Sequence, residues 1–138
     1  MSGDDEAKWH WAEGMKYALE GIKLLFILNG AAAISILTFI GNTKAGSALL
    51  VSAMVCFASG AAMTIVVMIT AYLTQLSYGN ASMNKGVSTS SWPAAVRMHY
   101  AAYVFIAVSI LCFVSGAVLA ACGFLHIPCP DVPCPHHP

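Results

Sequence analysis

Residues 22–41 read IKLLFILNGAAAISILTFIG, and beyond Lys23 this stretch carries no charge. A helix of about 20 residues at ~1.5 Å rise is roughly 30 Å long, the thickness of a bilayer's hydrocarbon core. We read it as the first of three membrane-spanning helices. Composition agrees: 59% of the 138 residues are apolar and only 9% are charged. A soluble domain has about 25% charged residues, so this chain lacks the charge to cover a water-facing surface. The expected fold is all-α, a single integral membrane domain (1–138) with three transmembrane helices.

Upstream, residues 4–21 (DDEAKWHWAEGMKYALEG) read as an amphipathic helix. Asp4 and Asp5 suit the positive end of its dipole. At 100° per residue, Asp5, Glu13, Lys16, Glu20 and Lys23 share one face. Glu13/Lys16, Lys16/Glu20 and Glu20/Lys23 stand three or four apart, where charges pair. Trp9, Trp11 and Tyr17 fit an interfacial aromatic belt. No proline intervenes before Ile22, so one continuous helix is expected from Asp5 to about Ile40. The acidic start MSGDDEAK and the late apolar run argue against a secretory signal.

Downstream, Gly41-Asn42-Thr43-Lys44-Ala45-Gly46 is a short polar turn, which forces the next helix antiparallel. That second span is expected over 47–76. Residues 77–92 (SYGNASMNKGVSTSSW) read as a polar loop. Pro93 opens a third helix over 93–125. The prolines from Pro128 onward make 126–138 a non-helical tail. Lys8, Lys16, Lys23, Lys85 and Arg97 then share one side, and Lys44 alone occupies the other. The positive-inside rule places the N-terminus and the 77–92 loop in the cytoplasm, and the C-terminus outside, in the periplasm for a bacterial inner membrane.

Between Leu24 and Asn84 the one charged residue is Lys44, and between Met98 and Ile127 there is none beyond His99 and His126. Proton relays and ion-coupled transporters need ionisable groups within the membrane, so a lone transporter is not expected. With a formal net charge of zero and no basic cluster, neither is a nucleic-acid partner. No phosphate cradle or paired-carboxylate site appears, since GNASMNKG lacks the glycine spacing. No enzyme activity and no cofactor are expected. His10 and His99 at helix ends are read as interfacial residues, with haem or metal ligation a minor alternative.

Asn29 is the strongly polar side chain deep in the first span, on a face with Ala32, Ala33 and Ile36. Helix two carries a stripe at Ser52, Cys56, Ser59, Met63, Thr70 and Thr74. Helix three carries one at Ser109, Cys112, Gly116, Ala120 and Gly123. Small residues at such spacings let helices approach, and hydroxyls bond across them. Asn29, Ser52, Ser59, Ser109, Gly116 and Ala120 are therefore the candidate residues for packing or oligomerisation. The tail HIPCPDVPCPHHP holds Cys129, Cys134, His136 and His137. Outside the cytoplasm Cys129 and Cys134 can close a disulfide; they can also stay free thiols, or ligate zinc or copper together with His136 and His137.

The leading expectation is a small membrane protein acting by helix association, as a homo-oligomer or an accessory subunit, with the bilayer and other membrane helices as partners. Short three-span chains without buried charge also resemble phage holins and membrane toxins in general architecture, which leaves a pore-former as an alternative. A metal- or redox-handling protein using the tail is the third reading.

Overall fold

A computed structural model describes residues 3–43, 46–83 and 91–126. These form α1 (Gly3–Thr43), α2 (Ala48–Met83) and α3 (Ser91–Leu125), with no strand among the described residues. All three are long and apolar enough to cross a membrane, over Ala12–Thr43, Ala48–Gly79 and Val96–Leu125. The chain is thus an integral membrane protein by architecture. Helix is the only open-ended element that lipid tolerates, because each backbone N–H and C=O is bonded within the segment. At ~1.5 Å per residue the helices are about 50–60 Å long. All exceed the core of a bilayer, so their ends project from it or the helices tilt.

α1 is unbroken across the amphipathic segment and the first span. Its projecting half is laced by Lys16–Glu13 at 3.0 Å and Lys23–Glu20 at 2.7 Å, both i,i+3 and solvent-exposed. The turn after it ends at Ser47, whose Oγ accepts from Leu50 N–H at 3.2 Å and whose carbonyl accepts from Val51 N–H. That is an N-cap, and it fixes where α2 begins. α2 does not stop at Leu76. It continues through seven residues of the expected 77–92 loop to Met83. Ser77 explains part of this: its hydroxyl bonds back to the Leu73 carbonyl at 2.8 Å and lies 4.0 Å from the Met98 sulfur on α3. Serine, asparagine and glycine each cost a helix about 1 kcal/mol or less, too little for any one of them to end it there. At the other end, Pro93 is the third residue of α3, within the first turn, where its missing N–H has no intrahelical acceptor to lose.

α2 lies at the centre. A third of its most apolar window is buried (33%), against 11% for α1 and for α3. Its buried positions are Leu50, Ala53, Phe57, Gly60, Thr64, Val67 and Thr74. They advance by three and four alternately, skipping only the half-buried Ala71. α1 buries Ile22, Asn29 and Ile36, and α3 buries Ser109, Gly116 and Gly123, each set spaced by seven. A 3.5-residue seam of this kind is the pattern of knobs-into-holes packing.

The α2–α3 contact is closest where glycine faces a large side chain. A Cβ on Gly116 would lie 3.0 Å from the Phe57 ring, and one on Gly123 would lie 2.9 Å from Leu50 Cδ2. Phe57 meets Phe113 edge-on, with centroids 5.6 Å apart. Ile36, Leu50, Ala53 and Phe57 form the apolar core, with Phe39, Ala120 and others packed around it. At the same end, Phe39 of α1 meets Phe124 of α3 edge-on at 4.9 Å. Gly116→Leu is expected to force α2 and α3 apart and to destabilise the bundle by about 1–3 kcal/mol. A lowered unfolding midpoint in detergent checks this; an unchanged midpoint contradicts the close approach.

Candidate functional site

Asn29 and Ser109 are both fully buried, one on α1 and one on α3. The Asn29 amide Nδ2 donates to the Leu25 carbonyl at 3.0 Å, one turn back on its own helix, and to Ser109 Oγ at 3.4 Å. Ser109 O–H donates in turn to the Gly60 carbonyl on α2 at 2.9 Å. One short chain of hydrogen bonds therefore ties all three helices at membrane depth. Gly60 is the position that permits it. A Cβ there would lie 2.8 Å from Asn29 Cγ and closer still to Oδ1. Oδ1 itself is buried without an N–H or O–H donor. It sits where the side-chain bond of any other residue at position 60 would point, so a glycine Cα–H faces it, a weak donor.

The remaining candidate residues are distributed unequally. Gly116 is buried against Phe57, and Ala120 packs around the apolar core. Ser52 and Ser59 are exposed. They lie on the face of α2 turned away from the seam, together with Val55, Ala62 and Val66. The inward polar residues of α2 are Gly60, Thr64 and Thr74, and the two threonines bond to carbonyls of their own helix, Ala61 at 2.6 Å and Thr70 at 2.8 Å. Sequence reading overlooked Gly60 and Thr64. The 3.5-residue spacing of residues 50–67 was the available signal, but lipid demands apolar residues on the outer face too, which blurs it.

The exposed hydroxyls divide into two groups. Ser35, Thr38 and Thr70 each bond back to the carbonyl four residues earlier, at 2.7–2.8 Å. Among the described residues, Ser52, Ser59 and Ser115 make no such bond.

The tail residues Cys129, Cys134, His136 and His137, named as disulfide or metal candidates, lie outside the described residues. Cys56, Cys112 and Cys122 are free thiols. Among the described residues, no three His, Cys, Asp or Glu side chains cluster as a metal site. His126 ends α3: its Nδ1 donates to the Cys122 carbonyl at 2.8 Å and satisfies one of the helix's last acceptors. His10 and His99 come to the same end of the bundle and share a cavity between α1 and α3.

In comparison with known proteins, the chain matches no family model, no curated protein and no solved structure.

Gly60→Ala is expected to displace the Asn29 amide and weaken the three-helix junction, while Asn29→Ala removes the obstacle. The double variant should therefore recover part of the loss, with a coupling of about 1–2 kcal/mol in a detergent unfolding cycle. Strict additivity would show that the two side groups do not meet.

Proposed function

We propose that this chain is a small non-enzymatic integral membrane protein that acts by associating with further transmembrane helices, as a homo-oligomer or as a subunit of a larger membrane complex. The observation that carries this reading is the outer face of α2. Ser52 and Ser59 stand seven residues apart on it, exposed and with no hydrogen bond among the described residues. In hydrocarbon an unbonded hydroxyl is costly. A serine that bonds its own helix satisfies that need alone; one that does not is satisfied by a neighbouring helix. Ala62 and the serines also keep this face shallow, which lets a second backbone approach. Interhelical bonds of this kind contribute about 0.5–2 kcal/mol each.

The basic residues support an orientation with the N-terminus and the α2–α3 connection in the cytoplasm and the C-terminus outside. The exposed charged face of α1, with Glu13, Lys16, Glu20 and Lys23, then faces the cytoplasm. The intramembrane amide and the Ser109 hydroxyl are engaged with one another, which favours an association role over an aqueous path through the single chain.

Ser52→Leu with Ser59→Leu tests this directly. Neither residue belongs to the buried seam, so the fold should survive. The wild type in mild detergent is expected to run as an oligomer or to copurify with a membrane partner, and the double variant to run alone. A wild type that is monomeric by light scattering, with nothing copurifying, overturns the reading.

A further inference from the structure

Three tyrosines, one from each helix, stand at one height on the outside of the bundle. The Asn29–Ser109–Gly60 junction gives the common level. Tyr17 lies twelve residues before Asn29 on α1, Tyr72 twelve after Gly60 on α2, and Tyr100 nine before Ser109 on α3. At ~1.5 Å per residue they are about 18, 18 and 14 Å from the junction, all toward the N-terminal end of α1. Each is 66–71% exposed. In the other direction the helices meet their ends at Thr43, Ala48 and Leu125. From tyrosine to far end each helix advances 24–26 residues, or about 36–39 Å. A bilayer's hydrocarbon core is ~30 Å thick, and ~40–45 Å with its headgroups, so the tyrosines and the far ends fall within the two headgroup layers of one membrane. Between these limits α2 and α3 carry no Asp, Glu, Lys or Arg, and α1 carries two such residues, Glu20 and Lys23.

We propose that Tyr17, Tyr72 and Tyr100 form a girdle that seats in the phospholipid headgroup layer and sets how deep the bundle lies. The chemistry suits that layer: the ring is apolar, and the phenol donates to and accepts from polar headgroup atoms and water. With one ring on each helix, the girdle holds the whole bundle at one level rather than a single span. It puts the Asn29 junction near the bilayer midplane, where an unshared amide costs most. Trp9 lies eight residues before Tyr17, about 12 Å farther out, so the belt passes through Tyr17 and leaves Trp9 in water. Glu20 and Lys23 fall on the lipid side of the girdle. Lys23 reaches back to Glu20 at 2.7 Å, which carries its ammonium toward the headgroups, as long basic side chains do near the ends of spans. Lys16 stands level with Tyr17 and reaches outward, to Glu13 at 3.0 Å. The inference rests on the three spans and not on association through Ser52 and Ser59.

Two lysines make the test. Lys16 and Lys23 are both exposed in the chain by itself, at 71% and 54%, and each is paired with a glutamate three residues earlier. A large difference in their reactivity therefore reports the lipid. The full-length protein in phosphatidylcholine nanodiscs is treated with a membrane-impermeant amine-acylating reagent, and both sites are quantified by mass spectrometry. Lys16 is expected to react at least about tenfold faster than Lys23, because the bilayer excludes a charged reagent, and the difference should vanish in denaturant. The triple variant Tyr17→Ala, Tyr72→Ala, Tyr100→Ala should narrow it, since the bundle then loses its fixed depth. Equal reactivity in the wild type, or an unchanged ratio in the triple variant, overturns the proposal. A second measurement uses conservative variants: Tyr17→Trp, Tyr72→Trp and Tyr100→Trp, each with Trp9, Trp11 and Trp92 replaced by phenylalanine. Lipids brominated near the headgroup should quench all three alike and better than lipids brominated near the chain end. Depths that differ by more than about one helical turn, ~5 Å, overturn it as well. A monomeric protein that shows the lysine difference would defeat the association reading and leave the girdle standing.

Discussion

The bundle depends on one polar junction in an apolar setting: Asn29 on α1, Ser109 on α3 and the Gly60 carbonyl on α2. Lipid provides little hydrophobic drive for one span to prefer another, so membrane helices are held by close packing and by groups that must find hydrogen bonds. An amide at the centre of a span is such a group. Left in hydrocarbon it costs several kcal/mol; bonded to a neighbouring helix it costs far less. The register of α1 against the α2–α3 pair follows from that difference. Sliding α1 by one turn would separate the amide from Ser109.

Glycine supplies the second constraint. Gly60, Gly116 and Gly123 each lie where a Cβ would meet another helix's side chain, at Asn29, Phe57 and Leu50 respectively. The large partner in each case fills the space that the missing side chain leaves. α2 and α3 are therefore a tight pair stitched by glycine and aromatic contacts, while α1 is fixed mainly at its centre and its far end. This asymmetry leaves α1 in contact with α3 at only a few points. It also leaves most of both outer helices to be covered by lipid or by other proteins, since only 11% of each apolar window is buried.

Polar groups inside the membrane thus have different roles according to where they point. Thr64 and Thr74 are buried and satisfied by their own helix. Ser35, Thr38 and Thr70 are less buried and likewise self-satisfied. Ser52 and Ser59 are exposed on the outer face of α2. His99 and Tyr103 are bonded to each other and line the groove between α1 and α3.

The sequence alone determined that there are three long helices, that they are apolar enough for a bilayer, and that α1 continues unbroken from its charged segment. Those properties are local: periodicity, length, the absence of proline and the scarcity of charge act within one segment. Asn29 and Ser109 were legible as notable residues for the same reason, as polar groups in apolar runs. Their partnership was not, because it depends on the relative rotation and register of α1 and α3, 80 residues apart in sequence. Which face of α2 turns inward was equally undecided, since small and hydroxyl residues occur all round it. Only the packed structure chose Gly60 and Thr64 over Ser52 and Ser59, because a flat backbone at position 60 admits the Asn29 amide. It was also the tertiary structure that gathered His10 and His99 around one groove.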